Sequence, residues 1–372
     1  MKIVVAPNAL KGALSAHLAA EAIARGVLAS TPSAEVVQAP IADGGDGTAE
    51  VLVRATGGRL RTAAAHDALG RAIQAHYGVL GDGRAVVDVA AASGLWRLND
   101  AELDVFSASS YGTGELVLAA LTRGAREVLL GVGGSATVDG GLGLLRALGI
   151  RALDASGEQL PDGARSLEQL ASFDVSGLVP EARSARFTLL CDVEAELLGA
   201  LAFAPQKGAR PGDLPALRRG LSELGRTLAE PSFAGAGAAG GIAASLHALL
   251  GANVVLGSDF VLDTIDFDRK LSGATLVISA EGRFDAQSAL NKAPVAVARR
   301  ALLHGVPTLV LAGALEDGNA LGDSPVAAVA SITRRPCELD YARSVASDWL
   351  ALTAEQTLRI FLLGQNAARA AT

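Results

Sequence analysis

The residues able to handle an anion are concentrated in short, glycine-rich polar turns, each placed after an apolar run. Asp43-Gly44-Gly45-Asp46-Gly47-Thr48 follows residues 35–41 (EVVQAPI), and Gly133–Gly141 (GGSATVDGG) follows 126–132 (REVLLGV). Glu281-Gly282-Arg283-Phe284-Asp285 follows 275–280 (TLVISA). In an open parallel α/β sheet the carboxyl ends of the strands form the ligand edge. Helix N-termini there offer free N–H groups and a positive dipole end, and glycine lets the backbone come close to the anion. One such turn reads equally as plain βα geometry; three together point to phosphate.

Asp43 and Asp46 flank two glycines. In a phosphate site such carboxylates hold Mg²⁺, often through water, or accept a hydroxyl proton; Asp46 also suits helix capping. Asp192, after 186–191 (RFTLLC), is a further metal candidate, and Asp139 suits a cap. Cations stand nearby in sequence: Lys11 in PNALKG, Lys207 in PQKG, and Arg283 and Lys292 on either side of Asp285. They suit neutralisation of phosphates or of a substrate carboxylate, and the arginine fork suits a bidentate contact. Phosphoryl transfer needs mainly positioning and charge neutralisation, which these residue types supply.

Several signatures fail. The chain has no Gly-Lys dipeptide, hence no Walker A loop, and no His-Arg-Asp or Asp-Phe-Gly set. Gly235–Gly240 (GAGAAG) fits GxGxxG but follows a helical segment and Pro231-Ser232-Phe233 rather than a strand, so Gly237 reads as part of a turn near a nucleotide, not a dinucleotide fingerprint. The five histidines are remote in sequence from the glycine-rich turns, which argues against a histidine triad or a zinc site.

Positioning these turns requires an alternating α/β chain. Strands are expected at 2–7, 35–41, 126–132, 186–191, 275–280, 307–312 and 327–332. Helices are expected from Ser15 to about Ser30, from Thr48 to the Gly57-Gly58 stop, and at about 112–124, 139–149, 214–229, 239–251, 292–304 and 340–364. Two extended runs flanking Gly81-Asp82-Gly83 predict a β-hairpin. The expected fold is two-lobed α/β: a discontinuous, flavodoxin-like parallel-sheet lobe of about 1–60 and 275–372, and an inserted α/β lobe of 61–274 holding the hairpin, with a ligand cleft at their junction.

The bulk composition agrees. At 372 residues the chain exceeds what one core usually serves. Net charge is −7 with no basic cluster, so nucleic acid is excluded as a partner. No apolar run approaches the ~18 residues that span a bilayer. Two distant cysteines, Cys191 and Cys337, and the absence of a signal-peptide pattern fit a reduced, cytoplasmic protein, expected to be a monomer or homodimer.

The ordered motifs go further. APNALKGA (Ala6–Ala13), ADGGDGT (Ala42–Thr48), DALGR (Asp67–Arg71), ASGL (Ala92–Leu95), SSYGTGEL (Ser109–Leu116), GVGGSATVDGG (Gly131–Gly141), APQKGA (Ala204–Ala209), GAGAAGG (Gly235–Gly241) and AEGRFDAQSALNK (Ala280–Lys292) stand in one order. That order resembles the type I glycerate kinase family along nearly the whole chain. The resemblance implies ATP and Mg²⁺ as cosubstrates, D-glycerate as acceptor and 2-phosphoglycerate as the favoured product. On this reading Lys11, Asp43, Asp46, Arg283 and Asp285 are catalytic. Gly133, Gly134, Ser135, Lys207, Gly237 and Lys292 bind nucleotide, and Asp43, Asp46 and Asp192 hold the metal. Departures stand at Asn8, where the family has an acid, at Val138, where it has Asn, and in CDVEAEL (Cys191–Leu197), which lacks the family's Asn and Pro. They leave two alternatives, a kinase of a related small hydroxy acid and an inactive ligand-binding homologue.

Overall fold

The computed structural model describes residues 1–284, 293–315 and 324–370. Its strands are β1 (Lys2–Val5), β2 (Glu35–Gln38), β3 (Arg59–His66), β4 (Ala72–Val79), β5 (Ala85–Asp88), β6 (Glu127–Gly131), β7 (Arg151–Leu153), β8 (Ser172–Asp174), β9 (Arg186–Leu190), β10 (Asn253–Val255), β11 (Ala274–Phe284), β12 (Thr308–Leu315) and β13 (Ala328–Ser331). The chain divides into two compact units, Met1–Ala42 with Val261–Thr372, and Asp43–Phe260.

The first unit is built on a five-stranded sheet in the order β13-β12-β11-β1-β2, parallel throughout. Successive residues of a strand face opposite sides, and β12 has apolar residues on both. Leu309 and Leu311 join a core with Ile3, Ile23 and Leu350, while Val310 and Ala312 join another with Val295 and Ala298. Helices therefore cover both faces, as an all-parallel sheet requires. Ser15 caps helix Ala16–Ser30 by accepting from the Leu18 N–H at 3.3 Å.

Two details differ from the sequence reading. The stretch Glu281–Phe284 is not a turn: β11 continues to Phe284 because β12 runs on beside it, pairing Glu281 with Ala312 and Phe284 with Leu315. The last helix is two, Leu339–Ser344 and Ala346–Ala370, broken at Val345 (φ −108°, ψ 4°).

The second unit holds a six-stranded sheet in the order β10-β9-β6-β5-β4-β3. β5, β6, β9 and β10 run parallel. β3, β4 and β5 run antiparallel, through turns at Asp67–Arg71 and at the expected Gly81–Gly83. Helix Leu214–Thr227 buries Leu217, Leu221 and Leu224 on one stripe at helical spacing. Among the described residues no helix is long and apolar enough to cross a membrane.

In the first unit, helices Ala16–Ser30 and Ala346–Ala370 touch where Gly26 meets Ala351 and Ala354; a β-carbon at Gly26 would collide with the Ala351 carbonyl. Gly26→Val is expected to lower Tm by about 5 °C or more through overpacking. Calorimetry with an unchanged Tm would contradict this close approach.

Candidate active site

The parallel strands of the second unit deliver four segments to one sheet edge. Asp88 is the last residue of β5, the Gly133–Gly141 turn follows β6, Asp192 follows β9, and Gly257-Ser258 follow β10. The Asp43–Thr48 turn lies across them. The Gly133 N–H donates to the Gly44 carbonyl at 2.9 Å. Gly44 sits at φ +79°, and a side chain there would strike the Leu190 carbonyl. A β-carbon on Gly133 would stand 2.6 Å from the Gly45 α-carbon, and one on Gly257 2.9 Å from the Gly44 nitrogen. Only glycine at positions 44, 133 and 257 permits these backbone approaches.

Helix Thr48–Thr56 starts from Gly47, which has no side chain with which to cap it. Asp88 does this from β5. Its carboxylate accepts from the Gly47 N–H at 3.1 Å and the Ala49 N–H at 3.1 and 3.2 Å. Asp46, a capping candidate, is exposed and is not the cap. Burial pushes the Asp88 carboxyl up to about 8, helped by Asp46 and Asp43 and opposed by its two amide donors. Asp192 is likewise pushed up to about 7, by burial first and the Asp43 charge second, while it accepts from the Ser258 N–H at 3.1 Å. Asp43, through one oxygen, accepts from the Gly45 N–H at 3.2 Å. The edge therefore holds acidic groups whose charges oppose one another. No group of three His, Cys, Asp or Glu side chains poised to hold a metal occurs among the described residues.

Among the described residues of this unit the buried cation is Lys207, 4% exposed. Its ammonium donates to the Ser135 hydroxyl at 2.9 Å and the Thr137 carbonyl at 2.7 Å, and among the described residues no carboxylate forms an ion pair with it. Burial lowers its pKa to about 8, with Asp139 pulling the other way from a distance. The Thr137 hydroxyl is buried with no hydrogen-bond partner among the described residues. Asp139 fixes the turn from behind. It accepts from the Ser110 N–H and hydroxyl at 2.9 and 2.7 Å, and from the Gly141 and Gly143 N–H groups at 3.1 and 3.3 Å. Asp139 thus ties the start of helix Leu142–Ala147 to that of helix Tyr111–Thr122.

The sequence-derived candidates separate as follows. In the second unit Asp43 and Gly133 share one edge with Asp192, and Ser135 meets Lys207. Gly134, exposed at φ +74°, lies beside Ala90. Gly237 packs against the backbone of Ala195, Glu196 and Ala200, while Gly240 of the same run packs on Thr137. In the first unit Lys11 is exposed beside Gly282, and Arg283 is exposed at the end of β11. Asn8 is buried, and its side-chain oxygen accepts from the Ala9 N–H at 2.8 Å. Asp285 and Lys292 lie outside the described residues. Sequence reasoning missed Asp88, Thr137 and Ser258. Asp88 carried the one available signal, a carboxylate closing an otherwise apolar strand.

Residues 3–362 match the family described as the glycerate kinase family. The chain is 41% identical over 368 residues to a glycerate kinase of Bacillus subtilis (strain 168), covering 95% of this chain and 96% of that protein. It is 40% identical over 328 residues to a glycerate 2-kinase of Escherichia coli (strain K12), covering 85% and 86%. A crystal structure described as glycerate kinase 2 from Salmonella typhimurium LT2 superposes with TM-score 0.80 at 38% identity, covering 98% of this chain and 99% of that one. A match of this length and identity means that the chain belongs to the glycerate kinase family and is a kinase.

Proposed function

We propose that the protein transfers the terminal phosphoryl group of ATP to D-glycerate, yielding 2-phosphoglycerate, with Mg²⁺ as the required cation. The observation that carries this reading is Lys207. A buried ammonium without a carboxylate partner is unfavourable unless an anion completes the site. Beside it the unpartnered Thr137 hydroxyl and the glycine-rich turn offer further donors. That donor set fits phosphate oxygens. The name of the Escherichia coli relative, a glycerate 2-kinase, favours the 2-position as acceptor.

The roles follow from charge. Lys207 and Ser135, with the backbone of Gly133 and Gly134, hold nucleotide phosphate, and the Gly235–Gly241 run supports that turn through Gly240. Asp43 and Asp192, the second of which has its proton affinity raised by the charge of the first, fit a divalent cation held by one or two carboxylates, the form Mg²⁺ prefers because it retains waters. Asp46 joins that metal set or accepts the proton leaving the glycerate hydroxyl. When bound, Mg²⁺ supplies neutralisation of charge on the phosphate oxygens. Lys11 and Arg283 of the first unit, with Asp285 and Lys292, supply the positive charge and proton-accepting groups for the glycerate carboxylate and the transferred phosphoryl. The reaction belongs in the cytoplasm, where ATP is supplied and free thiols such as Cys191 and Cys337 stay reduced.

Incubation with ATP, Mg²⁺ and D-glycerate, followed by phosphorus NMR, is expected to show ADP and 2-phosphoglycerate, with turnover abolished by a chelator and restored by Mg²⁺. Accumulation of 3-phosphoglycerate would move the acceptor hydroxyl. Turnover of another hydroxy acid but not glycerate would overturn the substrate.

Lys207→Met is expected to lower kcat/KM by about 10²-fold or more, the usual scale for losing a charge-stabilising group. The Lys207 cation is present below its pKa and lost above it. Wild-type kcat/KM for ATP should therefore fall as pH rises through about 8, and the variant should lack that limb. A variant within a few-fold of wild type would remove Lys207 from the site.

A further inference from the structure

In the first unit a cavity of about 290 Å³ opens at the carboxyl edge of β1, β11 and β12. Its walls are mostly hydrocarbon, from Leu10, Ile332, Ala346 and the half-buried indole of Trp349. Gly282 and Gly313, neighbours on adjacent strands, floor it without side chains; a β-carbon on Gly313 would stand 2.5 Å from the Gly282 carbonyl. The Thr333 hydroxyl also lines it, but donates its proton to the Gly313 carbonyl at 2.6 Å. Positive charge stands at the rim. Arg343 lies over the turn that follows Lys11, its Nε 3.2 Å from where a β-carbon on Gly12 would be. Lys11 forms no ion pair among the described residues. Arg343 meets Asp340, 96% exposed, at 3.4 Å, a weak solvent-screened pair. None of the lining residues is acidic, in a chain of net charge −7. Two like charges on neighbouring segments repel, and an anion between them removes that cost.

This combination selects its ligand. Hydroxyls or ring nitrogens set against these walls would lose their bonds to water and gain none in return, which disfavours a polyhydroxylated body or a nucleoside. A hydrocarbon body loses nothing there, and a carboxylate presents its two oxygens to a guanidinium fork. An apolar cavity of about 150 Å³ takes a benzene-sized guest, so this larger one has room for a ring with a short side chain. We propose that the cavity is a binding site for a small monocarboxylate with a hydrocarbon body, its carboxylate held by Arg343 and Lys11. The site lies wholly within the first unit. Its tests measure no turnover, so it stands or falls apart from the kinase reading.

Cys337 lines the same cavity and is exposed, whereas Cys191 is buried with its thiol pushed up to about 11. A neutral disulfide reagent should thus label one thiol quickly, and Cys337→Ser should abolish that phase. With 3-phenylpropanoate held about ten times above the dissociation constant found by calorimetry, labelling should slow roughly tenfold. 3-Phenylpropanamide carries the same body without the charge, and acetate carries the charge without the body. Each should need at least about ten times the concentration for equal protection. Arg343→Gln should weaken binding of the acid by about tenfold or more and leave that of the amide unchanged, and Arg343→Lys should recover part of the loss. Labelling unchanged at any concentration of the acid, equal protection by the amide or by acetate, or wild-type affinity in Arg343→Gln would overturn the assignment.

Discussion

The second unit holds a buried ammonium group, Lys207, that forms no ion pair with any described residue. Taking Lys207 out of water costs free energy that its two hydrogen bonds, to Ser135 and the Thr137 carbonyl, offset only in part, and its lowered pKa records the deficit. The surroundings are built to maintain that state rather than relieve it. Asp139 stands close enough to act on Lys207 through space. Its oxygens, however, are taken up by Ser110, Gly141 and Gly143, so it braces the turn instead of pairing with the lysine. Gly240 packs on Thr137 and fixes the other side. Among the described residues no carboxylate pairs with that charge, and on the proposed function a phosphate does.

Parallel strands explain why acidic groups accumulate beside such a cation. β5, β6, β9 and β10 end at one edge, and each exit contributes to it: Asp88, the glycine-rich turn, Asp192 and Gly257-Ser258. Asp88 belongs to the scaffold, because it replaces the side-chain cap that Gly47 cannot provide. Asp192 accepts from the Ser258 N–H and has its pKa raised partly by the Asp43 charge, a repulsion that the proposed divalent cation would relieve. The glycines at 44, 133 and 257 are the steric condition for bringing these segments together.

Much of this was legible in the sequence, because strand exits and helix starts are written locally. The Ser15 cap, the Thr48 helix start and the 126–132 strand follow from apolar patterning and from glycine, serine and aspartate at the boundaries. What escaped depends on distant partners. β11 extends through Gly282 only because β12 continues alongside. Asp88 caps a helix 40 or so residues earlier in the chain, a relation that no local spacing reveals. The Lys207 environment combines residues 70 and 72 positions apart, so its type and setting suggested a phosphate ligand while its burial could not be read. Cys337 and Arg343 carried no motif at all; only the fold sets them beside Gly282 and Trp349.

The charge state of Lys207 can be observed directly. With only five lysines in the chain, isotope labelling at the side chains gives a spectrum simple enough to assign by substitution. Titrating the Lys207 resonance in the ligand-free protein should give a pKa of about 8, below the usual lysine range, and the value should rise when ATP is added because a bound anion stabilises the ammonium. An ordinary lysine titration, unmoved by ATP, would show that the ammonium is neither strained by burial nor engaged by phosphate, and would contradict the account.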